Sequence, residues 1–263
     1  MTTQSSVRIT RRGKISIVTL DRPKANAINI ATSEALAAAF REFREDPELS
    51  VAIVTGAGEK FFCGGWDMNE AASGIKDSEE HGAGGFAGLH ELLDCNKPVI
   101  AALNGLTVGG GWEIALACDL VLATPNTRFW FPEVQRGFIA DAGGVQRLPR
   151  MLPKRIAMEV LLTGRWFELA EAEHWGMINA VVPANELLPR AIALAETICE
   201  GAPLSVQATK EVVRATEMLS DREALTGLAK LNLPIHRRMM ASSDFIEGPT
   251  AFTEGRAPVW TGR

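Results

Sequence analysis

A glycine run and two carboxylates mark the part of the chain whose residue types could do chemistry. Residues 109–111 are all glycine and lead into Glu113 at the start of an apolar helical pattern, while Glu133 follows Pro132 further along. Glycine backbone that enters a helix N-terminus can hold a developing oxyanion. Two carboxylates beside such a site can move a proton and activate water. This combination favours chemistry on a thioester carbonyl over a binding platform.

Each carboxylate also has an ordinary structural explanation. An acid in the first turn of a helix is stabilised by the helix dipole by roughly 0.3–1 kcal/mol, and Glu133 could be a turn residue after its proline. The surroundings favour chemistry, because Glu113 precedes the apolar segment 114–118 and Glu133 follows the aromatic segment 129–131. Burial penalises an unpaired carboxylate, so acids in such segments indicate acid–base work.

Other potential motifs carry less weight. The segment Gly82–Ala87 has the spacing of a dinucleotide fingerprint, but no strand precedes it, so we interpret it as coincidental. Residues 71–85 are polar and glycine-rich, which predicts either a mobile loop over a site or plain solvated surface. Four widely spaced cysteines indicate free thiols in a reducing cytosol. Cys63, between a phenylalanine and two glycines, could instead be a reactive thiol.

The composition is that of an ordinary globular protein. The 263 residues are 46% hydrophobic and 22% charged, with a net charge of −5, which argues against a broad nucleic-acid surface. The N-terminus lacks the apolar region of a secretory signal. The apolar stretch 98–123 is interrupted by polar residues, which predicts strand, glycine turn, helix and strand, not a membrane span. We therefore expect a cytoplasmic protein without membrane or nucleic-acid partners.

Periodicity predicts an α/β fold. Strands are expected at 7–10, 15–20, 51–55, 98–103, 120–123 and 178–182, with a loop at 56–65. A helix with Asn29 or Thr32 as N-cap should end near Asp46. Further helices are expected at 145–152, 154–162, 169–175, 186–200, 204–218 and 221–241. The alternation indicates βαβ units and a mostly parallel sheet in a core over residues 1–190, followed by a helical region over 191–263.

Taken together, several motifs resemble those of the crotonase (enoyl-CoA hydratase/isomerase) superfamily, and the resemblance covers nearly the whole chain. The matching segments are 23–27, 62–67, 109–113, 132–133, 143–148, 247–248 and 251–252. The resemblance implies the crotonase (ClpP-like) spiral fold of ββα repeats with a helical C-terminal trimerisation region. It also implies an acyl-CoA thioester substrate, no separate cofactor, no metal, and assembly as a homotrimer or homohexamer.

The resemblance also assigns roles to residues. The backbone N–H groups of Trp66 and Gly110 would form the oxyanion hole, and Glu113 and Glu133 would be catalytic. Glu133 would carry the proton for the α-carbon, while Glu113 would orient the water as a base. The residues expected to bind the CoA part are Lys24, Ala25, Ala27, Gly64, Asp67, Met68 and, near the C-terminus, Phe252.

Some positions depart from the family pattern. The tail 252–256 lacks a lysine found in many relatives, and Arg256 could replace its charge. Asp141 stands where many hydratases have glycine; it would be a third carboxylate near the acyl group, or simply an N-cap for the following helix. Five aromatic residues flank the expected site and could hold a quaternary ammonium group, although such residues are more often core: Trp66, Trp112, Trp130, Phe131 and Phe138.

The function expected from the resemblance is reversible hydration and dehydration of a short acyl-CoA. Segments 56–62, 84–88 and 258–260 favour carnitinyl-CoA and crotonobetainyl-CoA as the substrate pair within the family. A generic short-chain 2-enoyl-CoA hydratase is the alternative enzyme. An isomerase is less favoured, because double-bond shifting needs only one glutamate. A non-catalytic acyl-CoA-binding or RNA-binding relative is the alternative of a different class.

Overall fold

The computed structural model describes residues 5–74, 81 and 84–263. The chain divides into two compact units, one of Met1–Asp94 with Val99–Ala195 and one of Cys95–Pro98 with Glu196–Arg263. The expected division after residue 190 remains a prediction about domains. The fingerprint-like segment 82–87 and the expected loop 71–85 lie partly outside the described residues.

The described strands number ten. They are β1 (Val7–Arg12), β2 (Ile15–Leu20), β3 (Val51–Gly56), β4 (Phe61–Cys63), β5 (Val99–Leu103), β6 (Leu106–Val108), β7 (Leu120–Ala123), β8 (Arg128–Trp130), β9 (Trp166–Glu168) and β10 (Ala180–Val181).

The described α-helices number eleven. They are α1 (Ile30–Glu45), α2 (Met68–Ala72), α3 (Gly110–Ala117), α4 (Gly144–Met151), α5 (Lys154–Thr163), α6 (Leu169–His174), α7 (Leu187–Cys199), α8 (Pro203–Thr216), α9 (Asp221–Gly227), α10 (Pro234–Met240) and α11 (Asp244–Glu254).

The larger sheet confirms the predicted mostly parallel α/β core. Its strand order is β1-β2-β3-β5-β7-β10, and only the β1–β2 hairpin is antiparallel. Every residue of β2, β3 and β5 is buried, as expected for central strands covered on both faces. The N-cap of α1 is Asn29, whose side chain accepts from the Thr32 N–H at 3.0 Å, and Asp46 is its C-cap.

A second, smaller sheet was not predicted. Its order is β4-β6-β8-β9, each strand has three residues, and β4, β6 and β8 are parallel. The predicted loop over 56–65 is therefore wrong in its middle, because β4 occupies Phe61–Cys63. Strands this short give no detectable alternation of apolar and polar residues. This sheet matters most for function, because its parallel strands end where the expected site residues begin.

The second unit is helical, as predicted, but two details differ. A single helix over 221–241 is wrong: the chain turns at Asn232, whose φ is +50°, and Pro234 then begins α10. Helix α11 was not predicted, because Gly248 and Pro249 lie inside it. No helix in the described part of the chain combines the length and the hydropathy needed to cross a bilayer.

Candidate active site

The expected site residues follow three parallel strands of the smaller sheet and lie at one edge of that sheet. Strand β4 is followed by Trp66, β6 by Gly110, and β8 by Glu133. The strands are held in register by the β4–β6 and β6–β8 pairs, and the Gly109 N–H donates to the Trp130 carbonyl at 2.8 Å. Because the carboxyl ends of parallel strands meet at the same edge, segments distant in sequence converge there.

Glu113 lies in the first turn of α3 and is only 4% exposed. Its Oε1 accepts a hydrogen bond from the backbone N–H of Gly144, the first residue of α4, at 2.9 Å. A donor at this distance fixes the direction of the carboxylate. Gly144, which lies in the matching segment 143–148, thus has a physical role that the sequence did not indicate.

Glu133 begins a short 3-10 turn, Glu133–Arg136, and is 6% exposed. Its carboxylate lies against the glycine run: a Cβ built on Gly109 would be 2.6 Å from Glu133 Oε1. Gly109 also has φ +52° and ψ −123°, a conformation closed to other residues. Glycine at this position therefore permits both the turn into α3 and the approach of Glu133.

The two expected oxyanion donors lie on adjoining backbone. Gly110 is the first residue of α3, so its N–H has no acceptor within the helix. Gly65, which precedes Trp66, packs closely on this helix start: a Cβ at Gly65 would be 3.1 Å from the Gly110 nitrogen and 2.7 Å from the Val108 carbonyl oxygen. A parallel bridge between Ile28 and Trp66 holds the Trp66 segment in place.

These groups line one cavity together. Both carboxylates, the Gly110 helix start and Trp66 contribute to its wall, as do Gly64, Met68 and Asp141. The remaining lining residues are Gly65, Phe86, Val108, Gly109, Pro132, Arg136, Phe138 and Ile139. The arrangement can bind a carbonyl oxygen, and it offers two carboxylates to the neighbouring carbons. Among the residues that the structure describes, no three His, Cys, Asp or Glu side chains are grouped so that they could hold a metal ion.

The aromatic residues near the site separate into two groups. Trp66 and Phe138 line the cavity, with ring centroids 5.8 Å apart in an edge-on arrangement. Trp112 and Phe131 are fully buried and stack on each other at 4.3 Å, so for these two the core explanation holds. Trp130 stacks on Trp166.

Asp141 is not the N-cap of the following helix, because Gly143 occupies that position. The Asp141 side chain is exposed and lines the cavity. Its backbone carbonyl, not its carboxylate, accepts from the Gln146 side chain at 3.0 Å. The structure therefore removes the capping explanation and leaves a carboxylate at the cavity.

The residues expected to contact CoA lie in the first unit, except Phe252. Lys24 has φ +77° and lines a second cavity that Arg22 and Lys60 also line. The carbonyl of Ala25 accepts from the Gly64 N–H at 2.8 Å. The carbonyl of Ala27 accepts from Arg22 at 3.0 Å.

Asp67 has a structural environment of its own. Its carboxylate caps α2 by accepting from the Asn69 N–H at 2.9 Å, and it pairs with Arg22 at 2.6 Å. Burial alone would raise the pKa of Asp67, but the Asn69 N–H and the Arg22 guanidinium outweigh it, so the pKa is lowered. Asp67 is thus an ionised anchor of this loop.

Phe252 is not among the residues that line either cavity. It lies on α11 in the second unit and is 87% exposed. Arg256, the suggested replacement for a missing lysine, bonds to both carboxylate oxygens of Glu247, at 2.6 and 2.8 Å, and to Glu254 at 2.6 Å. Within this chain its charge is already matched by carboxylates.

Phe86 had no role assigned from sequence, and Cys63 had only the reactive-thiol alternative. Phe86 lines the cavity, and a Cβ at Gly110 would be 2.2 Å from its Cε1 atom. The only sequence feature that points to Phe86 is its position between the glycines of segment 84–88. Cys63 lies behind the wall, fully buried, and its Sγ accepts from the Gly65 N–H at 3.3 Å. Burial raises the pKa of the Cys63 thiol to about 12, which contradicts the reactive-thiol alternative.

Solved structures with the same fold include proteins described as enoyl-CoA hydratases. The enoyl-CoA hydratase from Mycobacterium tuberculosis superposes with a TM-score of 0.88 at 39% identity, covering 99% of this chain and 100% of that one. The enoyl-CoA hydratase from Mycobacterium marinum gives a TM-score of 0.89 at 40% identity, with coverage of 99% and 100%. These similarities confirm the predicted crotonase fold.

Curated relatives are similar over nearly their entire length. Carnitinyl-CoA dehydratase from Proteus mirabilis is 50% identical over 258 residues, which is 98% of this chain and 99% of the relative. The protein of the same name from Salmonella typhi is 48% identical over the same shares. The profile of the family described as enoyl-CoA hydratase/isomerase matches residues 10–263. The chain therefore belongs to the enoyl-CoA hydratase/isomerase family.

Proposed function

We propose that this protein is a hydro-lyase that reversibly hydrates and dehydrates a short acyl-CoA thioester. The observation that carries the proposal is the pair of buried carboxylates, Glu113 and Glu133, in the wall of one cavity beside the start of α3. Buried carboxylates that share one cavity are typical of sites that do acid–base chemistry. The relatives' names point to the same chemistry.

In the hydration direction, Glu113 takes a proton from water and the water oxygen bonds to the β-carbon of the enoyl thioester. The π electrons move toward the thioester oxygen, where the N–H groups of Trp66 and Gly110 stabilise the enolate. Glu133 then gives its proton to the α-carbon. Dehydration runs the same steps backwards. The Gly144 donor suits Glu113 to the base role, since it holds this carboxylate in one direction.

The loops beside the cavity supply the residues that we propose to bind the CoA portion. We propose that Gly64, Ala25, Ala27, Asp67 and Met68 contact the pantetheine and adenine parts, and that Lys24 approaches a phosphate. Lys24 and Lys60 along the second cavity supply positive charge for this purpose, whereas Arg22 is paired with Asp67. Coenzyme A is here part of the substrate, and no separate cofactor enters the proposed steps.

The substrate pair favoured is carnitinyl-CoA and crotonobetainyl-CoA. The identities of 50% and 48% to proteins named carnitinyl-CoA dehydratase, over almost full length, support this choice. The second candidate is a generic short-chain 2-enoyl-CoA hydratase, which the names of the solved structures favour.

A panel of 2-enoyl-CoA thioesters tests the proposal. Turnover is followed as loss of the absorbance of the conjugated thioester, and the 3-hydroxyacyl product is identified by mass spectrometry. We expect hydration of crotonyl-CoA and faster hydration of crotonobetainyl-CoA. Absence of turnover across the panel, with acyl-CoA binding retained, would favour the non-catalytic binder instead.

We also propose that the chain assembles as a homotrimer or homohexamer. Large apolar side chains of the second unit are exposed, with Leu225 at 82% and Phe252 at 87%. Exposed apolar side chains in such number favour association with further copies. Light scattering coupled to gel filtration measures the mass; a monomer at micromolar concentration would contradict this proposal.

A further inference from the structure

We propose that Trp66, Phe138 and Asp141 form a recognition site for a quaternary ammonium group on the acyl chain. The inference rests on the proposed function, because it concerns the acyl end of the same cavity. It assigns to Asp141 a role in specificity, separate from the two catalytic carboxylates.

A quaternary ammonium has no N–H to donate, so only aromatic faces, nearby anions and apolar contact can recognise it. Trp66 and Phe138 bring two aromatic rings into the cavity wall, at 5.8 Å and nearly perpendicular to each other, with an interplanar angle of 78°. Two rings at this angle form an aromatic corner instead of a flat stack. Both side chains are only partly buried, so part of each remains accessible to a ligand.

The charges of the described lining residues favour a cation. Glu113 and Asp141 supply negative charge, Glu133 holds the proton that it gives in hydration, and Arg136 is the one basic residue among the lining residues that the structure describes. The guanidinium of Arg136 lies over the Trp130 ring, 4.9 Å from its centroid. The guanidinium is therefore held by a ring outside the Trp66–Phe138 corner. The acidic lining residues outnumber this one basic residue.

Asp141 is available for a ligand in a way that most carboxylates of this chain are not. It caps no helix, and no hydrogen bond or ion pair joins its carboxylate to any side chain or N–H in residues 5–74 and 84–263. Asp67, in contrast, is held by Asn69 and Arg22. An exposed acid with no structural partner at the wall of a substrate cavity is suited to pair with a charge that the substrate brings.

The position agrees with the chemistry of the acyl group. In a 4-(trimethylammonio)butanoyl thioester the nitrogen is attached to the γ-carbon, one carbon beyond the β-carbon at which Glu113 and Glu133 are proposed to act. A cation there must lie in the same cavity as the two glutamates, and Asp141 with the Trp66–Phe138 corner completes its surroundings.

Binding of two unreactive thioesters tests the site. The probes are the CoA thioesters of 4-(trimethylammonio)butanoate and of its neutral isostere 5,5-dimethylhexanoate, whose affinities are measured by titration calorimetry. Both are saturated and lack a β-hydroxyl, so neither can be hydrated or dehydrated. We expect the cationic thioester to bind about tenfold more tightly than the isostere, a ratio typical of aromatic and ionic recognition of an ammonium.

Two variants and a control locate the effect. Asp141→Asn and Phe138→Leu should each lower the preference to roughly threefold or less. Asp221→Asn removes the same charge from an exposed position in α9 and should leave the preference unchanged. Equal affinity of the unmodified protein for both probes, or a full preference in Asp141→Asn, would overturn the inference. Either of these results would leave the proposed hydration of crotonyl-CoA intact. Failure of crotonyl-CoA hydration alone would contradict the proposed function but would not change the measured binding preference.

Discussion

The carboxylate of Glu113 and the backbone N–H of Gly144 are joined by a hydrogen bond of 2.9 Å. The bond links the first turn of α3 to the first residue of α4, so the direction of a catalytic side chain depends on the position of a second helix. Gly144 is packed tightly: a Cβ there would lie 2.6 Å from Ala140 Cβ and 2.9 Å from Phe131 Cζ.

We therefore expect Gly144→Ala to lower hydration by at least about tenfold, because displacement of the N–H releases the base from its productive direction. The matched control is Gly227→Ala, at a position with φ −97° and no atom within 4 Å of the added Cβ. Steady-state kinetics and thermal unfolding of both variants make the comparison. Wild-type kcat in a folded Gly144→Ala variant would show that this bond does not position Glu113.

Gly110 and Phe86 provide a second test, of the oxyanion site. The 2.2 Å approach between an added Cβ and Phe86 Cε1 means that Gly110→Ala must displace either the ring or the start of α3. Displacement of one oxyanion donor lowers kcat by roughly 10²–10³-fold.

The double variant Gly110→Ala/Phe86→Ala removes the clashing ring and should recover part of the lost activity, about tenfold relative to Gly110→Ala alone. Phe86→Ala by itself serves as the reference. If the folded double variant recovers no activity, a clash with the Phe86 ring is not the reason that Gly110→Ala loses activity.

Cys63 is predicted to resist alkylation in the native protein. Its thiol is fully buried and its pKa is raised to about 12, so the reactive thiolate is scarce at about pH 8, where an ordinary thiol with a pKa of about 8.5 reacts. Mass spectrometry after iodoacetamide treatment should show Cys63 unmodified in buffer and modified in denaturant. Rapid native modification at this residue would contradict its placement behind the site wall.

The Glu247–Arg256 pair predicts a pH dependence of stability. The hydrogen bonds from Arg256 and, next, from the Val259 N–H lower the pKa of Glu247 from 4.5 to about 2. A lowered folded-state pKa adds stability that is complete above 4.5 and is lost as the pH falls towards about 2.

Glu247→Gln should accordingly lower Tm at neutral pH, and its difference from the unmodified protein should shrink across this acid range. Circular dichroism melts at several pH values measure both. A Tm difference that stays constant down to about pH 2 would show that ionisation of Glu247 is not the source of the stability.

Much of this structure could be predicted from the residues, and the rest shows where pattern reasoning ends. The β1–β2 hairpin and α1 with its asparagine cap have local causes, namely alternation and turn or cap chemistry. Strands β4, β6, β8 and β9 have three residues each, so they exist only through pairing with distant segments. The sheet that assembles the site was therefore the part that periodicity could not predict.

The same limit applies to side chains. The motifs identified Glu113 and Glu133 as candidates, but not the Gly144 donor, because that contact depends on how α3 and α4 pack. Spacing likewise could not separate Trp66 and Phe138, which line the cavity, from Trp112 and Phe131, which form core. All four are aromatic residues near the acids, and only tertiary packing distinguishes their roles.

The division of labour between the two glutamates is the central claim, and proton exchange at the α-carbon separates them. A saturated acyl-CoA in D₂O can exchange an α-proton through Glu133 and the oxyanion site without any water addition. We expect Glu133→Gln to lose this exchange by about 10²–10⁴-fold, the usual contribution of a general base. Glu113→Gln should keep the exchange but lose hydration of crotonyl-CoA by a similar factor, roughly 10²–10⁴. Exchange at the wild-type rate in Glu133→Gln, or undiminished hydration in Glu113→Gln, would contradict the account.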